Sequence, residues 1–269
     1  MDPTIQSYYD RAAEESRLEQ GAFQLEHLRT RELILRHAPK PPGCVLDVGG
    51  AAGAYAFWLA EQGYEVHLVD ASPRLVNVAR HRDRAAVHGL ASCDVGDARA
   101  LPQRDEVADM VLLLGPLYHL VDASDRQLAL SEAARALRPG GVLIAAGISR
   151  WASTLDGLVR EVLADPSFAR IVEGDLRDGH HINLTENIDY FTTAYFHRPD
   201  ELRNEVADAG LAVEALYGIE GPGWMLSDFN ERWNSASRRE IILRAARLLE
   251  SEEAMIGTSA HLLVVGRKR

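Results

Sequence analysis

Cysteine is scarce in this sequence, positive charge is outnumbered, and long apolar runs are missing. The two cysteines, Cys44 and Cys93, both lie in apolar, strand-like stretches. Two such residues supply neither a disulfide framework nor a metal-binding cluster, and they are expected to be buried free thiols of a reducing compartment. Lysine and arginine together number 29 against 40 acidic residues, a formal charge of -11. An acidic surface repels phosphate backbones, which argues against DNA or RNA as the main partner. No stretch approaches the roughly 20 apolar residues that cross a bilayer. Residues Met1 to Arg17 are charged and polar, unlike a secretory signal. The expectation is a cytoplasmic protein with no membrane partner. There is no internal repeat.

What the chain does have is enough apolar residue, 46% of 269 positions, to bury a full core. The length suits one core domain with substantial additions. Residues 1–38 read as two helices, closed by Pro39-Lys40-Pro41-Pro42-Gly43. From Cys44 to Gly147, short apolar runs alternate with helical segments. Strands are predicted at 44–48, 65–69, 92–95, 108–114 and 142–148, and helices at 54–62 and 125–137. A further helix follows Ser72-Pro73, where serine can cap and proline can open the first turn. Continuous apolar strands separated by helices predict a doubly wound, mostly parallel α/β sheet covered on both faces. Residues 149–198 interrupt that rhythm with two helices and a polar, aromatic stretch. A helix from Pro199 to Ala209 and strands at 212–217 and 261–266 complete the core, around a second helical insertion at 221–256. The expected division is therefore an N-terminal helical lid (1–38), a core (39–148), a cap insertion (149–198) and the C-terminal part of the core (199–269).

The segment with the most chemistry is Val45-Leu46-Asp47-Val48-Gly49-Gly50-Ala51-Ala52-Gly53. A buried strand runs into a turn of small residues and then a helix, the place where doubly wound sheets bind ligands. Asp70 ends the next strand, where a carboxylate can accept from both ribose hydroxyls of an adenosine. A dinucleotide and a mononucleoside cofactor both fit to this point. Asp47 separates them: a carboxylate inside the turn opposes a pyrophosphate and tolerates an ammonium or sulfonium. Asp97-Ala98 follows the third strand, placed so that the aspartate can accept from an adenine amino group. Leu137-Arg138-Pro139-Gly140-Gly141 makes a sharp turn before the fifth strand.

In this ordered set the sequence resembles the class I S-adenosylmethionine-dependent methyltransferases, and among them the small-molecule branch with a type 11 or type 25 domain. The set comprises the Asp47–Gly53 turn, Asp70, Gly96-Asp97-Ala98, Leu114-Gly115-Pro116-Leu117-Tyr118-His119-Leu120 and the Arg138–Gly141 turn. The resemblance covers about residues 40–150 well and the end of the chain loosely. It departs from the family at Ala51, where glycine is usual. It implies a seven-stranded Rossmann-like core with S-adenosylmethionine as cofactor and S-adenosylhomocysteine as product. Gly49, Ala51 and Gly53 would underlie the amino-acid part of the cofactor, and Asp47 would place its ammonium. Asp70, with Ser72 beside it, would hold the ribose. Asp97 and Ala98 would bracket the adenine, and Leu114 and Gly115 would lie near the sulfonium. An aromatic from the N-terminal region, Tyr8 or Tyr9, would close over the cofactor.

The implied reaction is in-line methyl transfer to a small-molecule oxygen, nitrogen or carbon, which needs alignment, water exclusion and, for a protonated acceptor, a base. His119 and Tyr118, after the fourth strand, are the catalytic candidates. His180, His181, Tyr195, His197 and Trp224 are candidates for acceptor contact. The clustered histidines do not have zinc-ligand spacing, so no metal is expected. The competing readings are an NAD-type oxidoreductase and a non-catalytic S-adenosylmethionine-binding protein. The sequence does not specify the oligomeric state.

Overall fold

A computed structural model describes Ile5, Tyr8, residues 14–185 and residues 187–269. A 3-10 turn at Glu14–Glu19 leads into α1 (Phe23–His37). The core then runs β1 (Cys44–Val48), α2 (Ala54–Glu61), β2 (Glu65–Asp70), α3 (Pro73–Asp83), β3 (Ser92–Val95), β4 (Ala108–Leu113), α4 (Pro116–His119), α5 (Ala123–Ala136) and β5 (Leu137–Ser149). The cap contributes α6 (Ala152–Val159), α7 (Pro166–Asp178), β6 (His180–His181) and β7 (Ala194–His197). The chain closes with α8 (Pro199–Asp208), β8 (Ala212–Gly218), a 3-10 turn at Gly221–Met225, α9 (Phe229–Trp233), α10 (Ala236–Leu249), α11 (Glu253–Ile256) and β9 (His261–Arg267).

Strands β3, β2, β1, β4 and β5 lie side by side and parallel. β9 runs antiparallel to β5, and β8 antiparallel to β9. These are the seven strands read from the sequence. The short ribbon β6–β7 is additional: β7 pairs in parallel with the end of β5 through Ile148–Phe196 and Ser149–His197. Its two and four residues carry no alternation long enough to mark a strand in sequence. β5 is also longer than expected, because the backbone of the Arg138–Gly141 turn already pairs with the chain end, Gly140 N–H donating to Lys268 C=O at 2.8 Å.

Alternate residues of the continuous strands serve opposite faces. Val45, Leu68, Met110, Leu112 and Ile144 pack with Leu33, Ile34, Phe57, Leu59 and Val76, so α1 to α3 cover one face. Leu46, Val48, Val111, Leu113 and Leu143 pack with Ala129, Leu130, Leu202 and Val206, so α5 and α8 cover the other. Burial of about 25 cal/mol per Å² of apolar area on both faces makes this layered core the main source of stability. Ser72 caps α3 by accepting from the Leu75 N–H at 3.4 Å, with Pro73 in the first turn. Cys44 and Cys93 are free but half-buried, where full burial was expected.

Strand order reverses between β1, which continues to β2, and β4, which continues to β5. The crevice beyond the C-terminal ends of β1 and β4 is the topological switch point of such a sheet. The additions gather over it. Leu25 of α1 packs with Phe229, Trp233, Ile242 and Leu243 of the 221–256 insertion, and Trp233 Nε1 donates to Gln24 Oε1 at 2.9 Å.

Candidate active site

The turn after β1 is shaped by glycine. Gly49 has φ +73°, and a Cβ there would sit 2.6 Å from the Pro116 ring at the start of α4. A Cβ at Gly50 would meet Asp47 Oδ2 at 2.6 Å. Ala51 adopts φ +49°, a strained value for a residue with a side chain, and its N–H donates to Asp70 Oδ2 at 2.9 Å. Ser72 N–H donates to Asp70 Oδ1 at 2.8 Å. Two loops thus fix the Asp70 carboxylate on the wall of the crevice while each oxygen retains a lone pair. Burial raises its pKa, opposed by the Ser72 and Ala51 hydrogen bonds.

Asp47 is 1% exposed, and its Oδ2 has no hydrogen-bond partner among the described residues. Burial, and secondarily the Asp70 charge, push its pKa up to about 7, although the Ala56 backbone opposes them. A buried carboxyl in this state is costly unless a cation or donor joins it. Such an orphaned acceptor beside a small-residue turn fits the ammonium of an amino-acid group and does not fit a phosphate.

Three connected spaces open here. A cavity of about 440 Å³ is lined by Val48, Gly49, Ala51, Asp70, Leu75, Gly96, Asp97, Ala98, Gly115, Tyr118 and His119. A smaller one of about 90 Å³ lies over Asp47, Gly49, Ala51, Leu114 and Gly115, beneath Arg17, Glu26 and Tyr55. A third, of about 480 Å³, is walled by Tyr8, Phe23, Phe168, Tyr190, Phe191, Phe196 and Trp224, with Asp156, Glu220 and His261 among its polar groups. Tyr118 lines all three.

The expected cofactor residues Asp47, Gly49, Ala51, Asp70, Asp97, Ala98, Leu114 and Gly115 therefore line the first two spaces. Gly53 and Ser72 line none of them: Gly53 turns the chain into α2 with φ +85°, and Ser72 is a buried helix cap. Tyr8 lines the aromatic chamber and meets Phe191 edge-on at 5.4 Å, so it faces the third space and not the cavity beside Asp70. Tyr9 lies outside the described residues. Asp97 carries a partner that the sequence did not signal. Arg99 donates to both its oxygens, at 2.9 and 2.6 Å, and to Asp125 at 2.6 Å, and the hydrogen bonds from Arg99 hold the Asp97 pKa below the usual range.

Among the acceptor candidates, His181 and Trp224 line the aromatic chamber. His181 is clamped, with Nδ1 3.0 Å from Asp175 Oδ2 and Nε2 2.8 Å from the Tyr190 carbonyl. His180, Tyr195 and His197 do not line it. His180 pairs with Asp178 at the surface, Tyr195 lies under the Arg126 guanidinium at 3.7 Å, and His197 is fully buried against Glu205 at 3.2 Å. Alternation along β7 turns Tyr195 and His197 away from the chamber face that Phe196 lines. Of the two catalytic candidates, His119 is half-buried, and desolvation lowers its pKa to about 3 despite a hydrogen bond with the Thr193 backbone. Its ring lines the cavity beside Asp70 and packs on the Tyr118 ring at 4.6 Å between centroids.

Residues the sequence did not single out form a cluster where α1, the Glu220 loop and β9 meet. His261 Nδ1 lies 2.5 Å from Glu220 Oε1 and 3.8 Å from Glu26 Oε2. Glu26 accepts from Arg17 at 2.8 and 3.2 Å, and Glu220 Oε2 accepts from Ser259 Oγ and the His261 N–H. Glu26, Glu220 and His261 Nδ1 are engaged with one another and with Arg17 and Ser259, which makes this an ion-pair network. Positions 26, 220 and 261 have no linear spacing that would have joined them.

Residues 46–145 match the family model described as a methyltransferase domain. The core is a class I, S-adenosylmethionine-dependent methyltransferase domain. A ubiquinone/menaquinone biosynthesis C-methyltransferase of Acidiphilium cryptum is 33% identical over 129 residues, 47% of this chain and 50% of that protein. The chain thus spans about half the length of that relative. A ubiquinone biosynthesis O-methyltransferase of Chelativorans is 27% identical, covering 79% of this chain and 74% of that one. A solved methyltransferase of Methanosarcina mazei superposes with a TM-score of 0.60 at 16% identity, over 88% of this chain and 96% of that one, which is a likeness of fold.

Proposed function

We propose that this chain transfers the methyl group of S-adenosylmethionine to a small-molecule acceptor in the cytoplasm. The observation that carries the reading is the buried Asp47 Oδ2, unpartnered among the described residues, beside a glycine turn, with Asp70 fixed on the same crevice. When bound, the sulfonium cofactor supplies a methyl carbon already activated for displacement. Asp47 holds the ammonium, and Asp70 accepts from the ribose hydroxyls. Gly49 and Gly115 let the backbone approach, and Ala98 with the half-occupied Asp97 faces the adenine. Tyr118 stands where the cofactor cavity meets the aromatic chamber, so the acceptor is expected beyond it.

Residues 1–38, 149–198 and 221–256 act as lid and cap around the central core. They wall the chamber with aromatic side chains, exclude water and limit the acceptor to a small molecule. The acidic chain and an acceptor space walled by aromatic side chains disfavour RNA. Asp47 argues against the dinucleotide alternative, since a pyrophosphate would meet a buried carboxyl. The test is transfer of labelled methyl from S-adenosylmethionine to a panel of small phenols, amines and active-methylene compounds, with RNA as the control. Label is expected in a small acceptor and not in RNA. Label in RNA, or in nothing while the cofactor binds, contradicts the reading.

A further inference from the structure

Three side chains line both the cavity over Asp47 and the aromatic chamber: Arg17, Tyr118 and His261. They mark the boundary that a methyl group would cross. Arginine stays charged and a phenol ionises far above neutrality, so the imidazole is the member able to accept a proton near pH 7. Its Nδ1 is committed to Glu220, whose other oxygen is fixed by Ser259 Oγ at 2.5 Å and the His261 backbone at 3.0 Å. A carboxylate on Nδ1 sets the tautomer and leaves Nε2 as the accepting nitrogen.

We propose that His261, held by Glu220, is the proton acceptor for a hydroxyl on a planar, largely apolar molecule, a phenol or enol, which makes the chain an O-methyltransferase. This deepens the methyl-transfer reading and rests on it. The hydroxyl proton passes to His261 Nε2 as its oxygen forms the new bond to the methyl carbon. The carbon–sulfur bond breaks with its electron pair staying on sulfur, and the imidazolium later returns the proton to solvent. The acceptor class follows from the need for a base and from the lining. A neutral amine already carries the lone pair that attacks, whereas a hydroxyl oxygen becomes a strong nucleophile only as a neighbouring base takes its proton. An acidic hydroxyl lies within reach of one histidine, and Phe168, Tyr190, Phe191 and Trp224 suit an aromatic ring.

The charged groups facing His261 are Glu220 from the loop after β8, Glu26 from α1 and Arg17 from the N-terminal turn. Burial lowers the imidazole pKa and Arg17 adds to that, but the two carboxylates outweigh them and the net shift is upward. The rate should therefore rise with pH through a value above the ordinary histidine range.

The probe is catechol, whose hydroxyls stay protonated at neutral pH, given to the full chain with S-adenosylmethionine. S-adenosylhomocysteine affinity is measured calorimetrically on every variant as the fold and cofactor control. His261→Asn is expected to bind S-adenosylhomocysteine as wild type does and to lose about 100-fold or more in kcat, with KM little changed. Glu220→Gln should shift the acid limb of the kcat profile to lower pH, because the carboxylate that raises the imidazole pKa is gone. Wild-type kcat in His261→Asn, an unmoved acid limb in Glu220→Gln, or a wild-type protein that binds S-adenosylhomocysteine yet neither binds nor methylates catechol, would each overturn the proposal. Failure of wild type to bind S-adenosylhomocysteine would overturn the methyl-transfer reading along with it.

Discussion

Asp47 shows how a site can be held at the expense of the unliganded fold. Its carboxyl is buried, lacks a partner at Oδ2 among the described residues and has a pKa of about 7. The unfolded chain, with an ordinary aspartate pKa, loses this proton at lower pH than the folded chain does. Between the two values the folded state binds more protons, so stability falls as pH rises through this window and stays low above pH 7. Asp47→Asn removes the charge and should stabilise the unliganded protein by on the order of 1–3 kcal/mol at pH 8, and by less at pH 5. The same variant should bind S-adenosylhomocysteine at least about tenfold more weakly, since a charge-assisted bond of about 1.5–3 kcal/mol is lost. Calorimetric melting at the two pH values, with and without ligand, reads both effects. Equal melting shifts at pH 5 and pH 8 would contradict this account of the carboxyl.

The secondary-structure elements divide into those legible in sequence and those decided by tertiary contacts. β1, β2 and β4 are short runs rich in apolar residues and flanked by turn residues, as a sheet covered on both faces requires. The Asp47–Gly53 turn and Asp70 were legible for the same reason: each sits at the end of such a strand. The cap was not. His180, Tyr195 and His197 looked equivalent to His181 in sequence, and only the pairing of β6 and β7 with each other and with β5 separates them. His261 and Glu220 were hidden because the antiparallel return of β9 beside β5 brings residues 26, 220 and 261 together.

At the same scale, the lid is latched by Leu25 against Phe229, Trp233 and Ile242. Trp233→Ala removes a ring stacked on Phe229 at 5.1 Å and the bond to Gln24. Large-to-small changes of this kind cost about 3–5 kcal/mol. The loss should appear as faster hydrogen exchange in α1, α9 and α10, with β1 and β4 still protected. Uniform loss of protection across β1 and β4 would mean that lid and core are one cooperative unit.

Over the whole molecule, a two-faced core presents a crevice at its switch point, and the added segments turn that crevice into a cavity leading to an aromatic chamber. Among the described residues, no helix is long and apolar enough to cross a membrane. The formal charge of -11 sets the chain against polyanions. Acceptor placement and proton transfer both require one ligand occupying the space between Asp47, Asp70 and Asp97. The most direct measurement is calorimetric titration of the full chain and of Asp70→Ala with S-adenosylhomocysteine, with NAD as comparison ligand. The account predicts saturable one-to-one binding of S-adenosylhomocysteine, a loss of about tenfold or more in Asp70→Ala, and no heat from NAD. Binding of NAD without S-adenosylhomocysteine, or an Asp70→Ala variant with unchanged affinity, would contradict it.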